Sequence, residues 1–175
     1  MAPSGVPVAC AQAPPVYWGQ RDPAWSGSGS AALTLFQRLR LFGLVDFKTG
    51  HMIDVGDVGA SHTSFRNSRA INEATDPILL AYDQTGYRFG AEFAQGGFVK
   101  LREVSAVYPL PNAWARMLRA SRGSVSLAAR NVATLWVAQG DIFGTKIHDP
   151  EVYIGPTQTM LPLLMSAVVT VRLTF

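Results

Sequence analysis

The last stretch of the chain, Met165 to Phe175, reads M-S-A-V-V-T-V-R-L-T-F. Successive side chains of an extended strand point to opposite faces, so every second residue shares a face. Counted back from the end, one face carries only apolar residues, namely Phe175, Leu173, Val171, Val169 and Ala167. The other face is more polar and carries Thr174, Arg172, Thr170 and Val168. This alternation predicts a β-strand with one apolar face.

Two kinds of protein contain such a strand. In outer-membrane β-barrels the strands alternate apolar and polar residues, the apolar side faces lipid, and a terminal aromatic residue such as Phe175 is typical. Half-buried strands of soluble sandwiches show the same alternation. This stretch alone leaves both open.

Composition restricts the class further. The chain has 175 residues, of which 48% are apolar and 15% are charged, so it is neither disordered nor a typical, highly charged soluble domain. Every apolar run is interrupted before it reaches the roughly 18–20 residues of a spanning helix. We therefore expect any membrane contact to involve strands or a surface patch. The single Cys10 excludes an internal disulfide.

Residues 1–30 differ from the rest of the chain. They carry five of the eleven prolines and end in the run S-G-S-G-S, which predicts an extended arm preceding a β-domain over residues 31–175. An A-x-A-like triplet at residues 11–13 leaves a truncated secretory signal open. We predict that three aromatic residues of the arm contact a partner, although packing back onto the β-domain stays open; they are Tyr17, Trp18 and Trp25.

Hydrophobic periodicity and turn residues predict about five strands. Two strands lie within residues 31–48 and turn near residues 36–38, two more span residues 97–110 and 123–136, and the terminal stretch forms the last. The predicted fold is mainly β, an open antiparallel sheet or partial barrel, with an insertion over residues 51–96 that holds short helices near 62–73 and 76–84. A helix capped by Asn112 is predicted to run to Ala120, and residues 137–164 form a long loop.

The segment N-A-W-A-R-M-L-R-A-S-R holds the main local concentration of positive charge. On a helix, Arg116 and Arg119 lie one turn apart beside Trp114, so the segment is predicted to contact a partner or anionic lipid headgroups. A surface helix with extended arginines is the alternative. No nucleic-acid-binding motif is present, and we expect no nucleic-acid partner.

The sequence lacks the signatures of catalysis. His51, His62 and His148 are widely separated, and none has a second ligand at metal spacing. His148 is expected to form loop hydrogen bonds beside Asp149 and Glu151. Nucleophile, phosphate-binding and dinucleotide-binding motifs are missing. We therefore predict no catalytic residues, no metal, no cofactor and no enzymatic activity.

Three motifs, followed by the Phe-terminated strand, occur in an order that resembles a known family. They are F-V-K-L-R-E-V-S-A-V-Y-P-L-P (98–111), S-V-S-L-A-A-R-N-V-A-T-L-W (124–136) and D-P-E-V (149–152). Over about residues 31–175 the chain resembles the carboxyl end of SusC/RagA-type TonB-linked outer-membrane transporters. The resemblance implies the final strands of a barrel, with residues 51–96 as an extracellular excursion.

The chain departs from that family in extent. The plug, the TonB-contacting segment and most of the barrel are missing, and residues 137–147 lengthen the usual connection. Five strands cannot close a barrel, which needs at least about eight, and an open sheet edge cannot face hydrocarbon. The chain is therefore either a stand-alone descendant or part of a longer protein.

The stand-alone hypothesis is preferred at this point because the sequence starts with Met1. It predicts a non-catalytic scaffold subunit that docks from the periplasmic side on the protein subunits of a large membrane complex, with a photosynthetic reaction centre and its light-harvesting ring as the expected assembly. The alternative is the carboxyl-terminal part of a TonB-dependent nutrient transporter in the outer membrane. A third hypothesis, a soluble carbohydrate-binding β-protein, needs a cleft lined by Trp114 or Trp136.

Overall fold

A computed structural model describes residues 12, 14–15, 17–55, 69–73, 93–142, 145–153 and 162–175. Nine strands occur in these ranges: β1 (Trp25–Leu35), β2 (Leu39–Thr49), β3 (Met52–Asp54), β4 (Phe93–Gln95), β5 (Phe98–Pro109), β6 (Arg122–Val137), β7 (Asp141–Ile142), β8 (Thr145–Lys146) and β9 (Ser166–Thr174). The helical segments of the same ranges are α1 (Arg69–Asn72), α2 (Asn112–Met117) and a 3₁₀ helix (Pro150–Tyr153).

The five long strands form one antiparallel sheet in the order β1-β2-β5-β6-β9. Within the described ranges the sheet is not closed, so β1 and β9 are both edges. The predicted fold class, mainly β with an open antiparallel sheet of about five strands, is confirmed. Strands β3 and β4 pair with each other, as do β7 and β8.

Strand β1 begins six residues earlier than the sequence predicts. The run S-G-S-G-S pairs with β2, from Ser26 opposite Lys48 to Ser30 opposite Leu44. Backbone hydrogen bonds of a ladder need no side chain, so pairing overrides the low strand propensity of glycine and serine. Glycine at position 27 also avoids a steric clash, because a Cβ there would lie 2.9 Å from the ring of Phe47.

The two ends of the sheet differ in the length of their connections. At the short-turn end, residues 36–38 join β1 to β2, as predicted, and residues 110–121 with α2 join β5 to β6. At the long-loop end, β3, β4, β7, β8 and the 3₁₀ helix belong to the long excursions. The buried apolar cluster lies at this second end and consists of Ile53, Val55, Ala94, Ile142 and Ile147.

Helix α2 is shorter than predicted. Pro111 precedes the first helical residue, and no side chain caps the helix, so the prediction that Asn112 acts as the cap is wrong. The helix ends at Met117 because Arg119 adopts a left-handed conformation with φ of 56°. The predicted helix over 76–84 lies outside the described residues, and α1 falls within the predicted 62–73 segment.

Candidate functional site

Register places the side chains of the five long strands on two chemically different faces. Residues directly opposite each other in an antiparallel ladder share a face. One row across the sheet consists of Leu33, Leu41, Ala106, Leu127 and Val169. In the described strands no charged residue shares this face, which we call the apolar face; its larger members include Val45, Phe47, Val99, Val104, Trp136 and Val171.

The apolar face lies open. Leu33, Leu127 and Val169 are 58%, 51% and 67% exposed, whereas the buried cluster of the chain lies elsewhere, under the long connections. A continuous apolar patch of this extent marks a surface that contacts lipid or another protein. The alternation predicted for the terminal strand is confirmed, because Val171 lies opposite Val125 and Arg172 lies opposite Ser124.

Aromatic residues border the apolar face at both ends. Trp25, Phe47 and Trp136 lie near the long-loop end, and Tyr108 lies near the short-turn end. From the row of Val99 to that of Tyr108, β5 extends about 30 Å at roughly 3.3 Å per residue. A strand tilt of roughly 40° reduces this to about 23 Å, close to the height of the apolar band of outer-membrane barrels.

The opposite face, the polar face, carries a network of charged residues. Arg102 donates two hydrogen bonds to Asp46 on the neighbouring strand, from Nε to Oδ1 (2.8 Å) and from Nη2 to Oδ2 (2.9 Å). Its Nη2 also donates to Oε1 of Glu151 in the 3₁₀ helix at 2.7 Å. Arg102 is the additional residue of a β-bulge, since Leu101 and Glu103 have consecutive partners on β2.

Lys100 completes this network. Its Nζ lies 2.8 Å from Oε2 of Glu151 and 2.6 Å from Oδ1 of Asp149, and 5.3 Å from the ring centre of Phe98. The backbone N–H of Glu151 donates to Oδ1 of Asp149 at 3.0 Å, so the segment is also braced internally. The network therefore fixes the D-P-E segment onto the sheet. We call Asp46, Lys100, Arg102, Asp149 and Glu151 the charged cluster.

Burial of the charged cluster strengthens the attraction within its ion pairs, opposes it by desolvation, and makes the loss of one partner costly. The Lys100 side chain is 7% exposed and that of Arg102 is 17% exposed. Burial alone would raise the pKa of Glu151, but hydrogen bonds from Arg102 and Lys100 and their positive charges lower it to about 2. The hydrogen bond to Glu151 is the largest contribution to the raised pKa of Arg102.

We expect stability to fall in acid because of Glu151. Its pKa is about 2 in the folded chain and near 4.5 otherwise, so the stabilisation is complete above about pH 4.5 and is lost as the pH falls towards 2. The loss should amount to about 2–3 kcal/mol. Denaturant titrations between pH 6 and pH 2.5 should show it in the wild type and not in Glu151→Gln. The control Glu73→Gln, which removes an exposed pair with Arg69, should retain the wild-type pH dependence.

The six predicted contact residues fall into two groups at opposite ends of the sheet. Tyr17, Trp18 and Trp25 lie at the long-loop end, where Trp18 stacks on Phe93 with ring centres 6.2 Å apart. The other group lies in the α2 connection at the short-turn end and consists of Trp114, Arg116 and Arg119. One small site cannot include both groups, and their role in binding stays a prediction.

Sequence reasoning missed the charged cluster. The D-P-E motif was used only as part of the family resemblance, and the hydrogen bonds of this loop were expected to involve His148. That residue is exposed, and Asp149 and Glu151 bind Lys100 and Arg102 instead. One signal was present: Asp46, Lys100 and Arg102 interrupt strongly apolar strands.

A cavity of about 440 Å³ at the long-loop end is lined in part by Tyr17, Met52 and His51. His51 is 4% exposed, and neither ring nitrogen has a hydrogen-bond partner among the described residues. Burial and the charge of Lys48 lower the pKa of His51. His62 lies outside the described residues, which contain no group of three or more His, Cys, Asp or Glu placed to hold a metal ion.

In the described parts of the chain, none of the helices has the length and apolar character of a bilayer-spanning segment.

No protein-family model and no curated protein matches the sequence. Solved structures that match include the RagAB peptide importer in its "closed-closed" state, with a TM-score of 0.64, 19% identity, and coverage of 91% of this chain and 18% of that chain. The "open-open" state matches with a TM-score of 0.58, 19% identity, and coverage of 87% and 17%. The chain thus spans less than a fifth of the importer chains. At this identity the likeness concerns the fold, and it supports the resemblance to SusC/RagA-type proteins.

Proposed function

We propose that the chain forms a section of the barrel wall of an outer-membrane nutrient importer, as the carboxyl-terminal strands of a TonB-dependent transporter. The separation of charge between the two faces of the sheet carries this proposal. A wall between lipid and a polar lumen needs one uncharged face and one face that tolerates ions. In the described strands, the apolar face has no charged residue, and the polar face holds Lys100 and Arg102.

The connections of the sheet support the barrel-wall proposal and indicate how the sheet is oriented in the membrane. Outer-membrane barrels have short periplasmic turns and longer extracellular loops, and this sheet has residues 36–38 at one end and long excursions at the other. The short-turn end, with Phe175, is then periplasmic. The edges β1 and β9 would pair with further strands of the wall, since unpaired backbone groups are costly in hydrocarbon. The fold likeness to the importer chains supports an outer-membrane location for the sheet.

In this proposal the charged cluster has a structural role. Lys100 and Arg102 would hold the D-P-E segment of an extracellular loop on the lumenal side of the wall. The loop would then narrow the lumen beside β5, while the two ends of the loop would remain on the extracellular side of the wall. The role is non-catalytic and needs no cofactor.

A scaffold subunit is the second candidate, in the form of the extrinsic S-type subunit of a photosynthetic reaction centre–light-harvesting complex. The exposed aromatic residues at the long-loop end favour contact with a protein, since Tyr17 and Trp25 are 81% and 73% exposed. The same apolar face could then be covered by protein subunits, with the chain at the periplasmic side of the membrane. The structural neighbours favour the importer.

Fractionation of native membranes tests the two functions against each other. The importer proposal expects peptides of this chain in the outer-membrane fraction, within a polypeptide several times longer than 175 residues. Intact-mass measurement after gentle detergent extraction determines that length. Recovery of a separate chain of 18.9 kDa in an inner-membrane pigment complex would overturn the importer proposal and establish the scaffold.

A further inference from the structure

Charge is distributed very unevenly along the length of the strands. Residues 32–42, 105–128 and 168–175, which make up the short-turn end, contain six arginines and no Asp or Glu: Arg38, Arg40, Arg116, Arg119, Arg122 and Arg172. The other nine basic residues share the rest of the chain with all twelve acidic residues. The formal charge of +3 for the whole chain therefore conceals a strongly basic end.

All six arginines are exposed, and none forms an ion pair with a described residue. Elsewhere in the described ranges, cations such as Lys100, Arg102, Arg130 and Lys146 do pair with carboxylates. The antiparallel topology brings the six together, because the β1–β2 turn, the β5–β6 connection and the end of β9 share one rim. Five strands at about 4.8 Å spacing make this rim roughly 20 Å wide.

Large apolar side chains are interleaved with these arginines. Phe36, Met117 and Phe175 are 83–89% exposed, and Trp114 and Leu118 are 59% and 51% exposed. Hydrogen bonds fix the rim, since Ser121 donates through its N–H (2.6 Å) and its Oγ (2.8 Å) to the carbonyl oxygen of Thr174. A cavity of about 230 Å³ lies between the β1–β2 turn and the start of α2, lined by Arg38, Pro109, Leu110, Pro111 and Asn112.

We propose that the short-turn end docks on the anionic phospholipid headgroups of a membrane leaflet. Arg38, Arg116 and Arg119, in the two connections of this end, bind lipid phosphates, and the exposed aromatic and aliphatic side chains enter the acyl boundary. Guanidinium groups form paired hydrogen bonds with phosphate, and each basic residue near an anionic surface contributes about 1 kcal/mol of attraction. Arg38 lines the cavity of about 230 Å³, and we expect it to bind the phosphate of one lipid headgroup there.

Lipid is favoured over an acidic protein by the apolar residues of the rim. Side chains such as Phe36 and Met117, more than four-fifths exposed beside arginines, are typical of interfacial insertion. The rim also continues into the apolar face, through Tyr108 and Leu173, so a membrane can cover both. The inference uses only the charges and exposures of this end and holds for either proposed function.

The test is binding of the purified full-length chain to vesicles of phosphatidylcholine alone or with 30 mol% phosphatidylglycerol, measured by flotation. We expect at least tenfold tighter binding to the anionic vesicles, and loss of that increment in 0.5 M NaCl, because salt screens charges at a surface. The variant Arg38→Gln/Arg116→Gln/Arg119→Gln should lose most of this increment, which is the additional affinity for the anionic vesicles. Each arginine removed should weaken binding to those vesicles on the order of fivefold.

A matched control removes the same charge from elsewhere. Arg69→Gln/Arg130→Gln/Lys146→Gln also removes three positive charges, from paired positions outside this end, and should retain the increment. Equal binding to both vesicles, or equal loss in the two variants, overturns the inference. Preferential capture by immobilised polyglutamate over anionic vesicles would overturn it in favour of an acidic protein. Binding to pure phosphatidylcholine reports on the apolar face and thus tests the barrel-wall proposal separately.

Discussion

Val169→Arg should lower the free energy of unfolding in a phospholipid bilayer by about 1–2 kcal/mol. Val169 lies on the apolar face of β9, in the row of Leu127, Ala106 and Leu41, between the middle of the apolar band and its short-turn border. A charged side chain placed there loses its hydration if lipid covers the face. The cost should be somewhat below the maximum at the bilayer centre, because this row lies nearer the short-turn end.

Thr170→Arg is the matched control. Thr170 is the next residue of the same strand, is likewise exposed, and lies on the polar face opposite Ser126. Arginine there should change the free energy of unfolding by no more than about 0.5 kcal/mol. Denaturant unfolding of both variants gives the comparison when each is made in the full-length polypeptide that contains this chain, reconstituted in phosphatidylcholine vesicles and followed by tryptophan fluorescence.

Equal effects of the two variants would contradict lipid contact at the apolar face. Val169 is 67% exposed, so in water an arginine at this position would cost almost nothing. A scaffold whose apolar face is covered by protein would show no difference in bilayers, but Val169→Arg would abolish its recovery with the partner complex. The experiment thus separates lipid from protein as the covering of this face.

The sheet could be predicted because its strands have a simple pattern. Period-two alternation in β2 and β9 is set by local geometry, and it predicted which residues share a face. The start of β1 could not be predicted, because Gly27 and its serine neighbours have low strand propensity and are ordered only by pairing with β2. Local preference and tertiary pairing disagree at that position, and pairing prevails.

The functional surfaces were harder to predict from the sequence than the sheet, because they depend on contacts between residues far apart in the chain. Arg116 and Arg119 were singled out because they are close in sequence, but Arg38 and Arg172 join them only through the antiparallel topology. The charged cluster was missed for the same reason. Its hydrogen bonds from Arg102 join residues 56 and 49 positions apart, and each of these residues by itself resembles an ordinary solvated ion.

Arg102→Met should be the most destabilising single substitution in the charged cluster, with a loss of about 3–5 kcal/mol. The change removes three hydrogen bonds and leaves Asp46 and Glu151 without the guanidinium that neutralises them. Their side chains are only 23% and 25% exposed, so water cannot fully replace the lost partner. Methionine retains much of the apolar stem, and the effect therefore reports on charge more than on volume.

Arg130→Met provides the control for the same substitution at an exposed pair. Arg130 lies 3.5 Å from Glu103, with its side chain 71% exposed, and its loss should cost less than about 1 kcal/mol. Denaturant unfolding gives both values, and limited proteolysis at the D-P-E segment gives a local readout. Arg102→Met should expose this segment to cleavage while β1 and β2 stay protected, because Lys100 alone then holds it. Equal stability of the two variants, with an uncleaved segment in both, would show that the cluster does not fix the loop on the sheet.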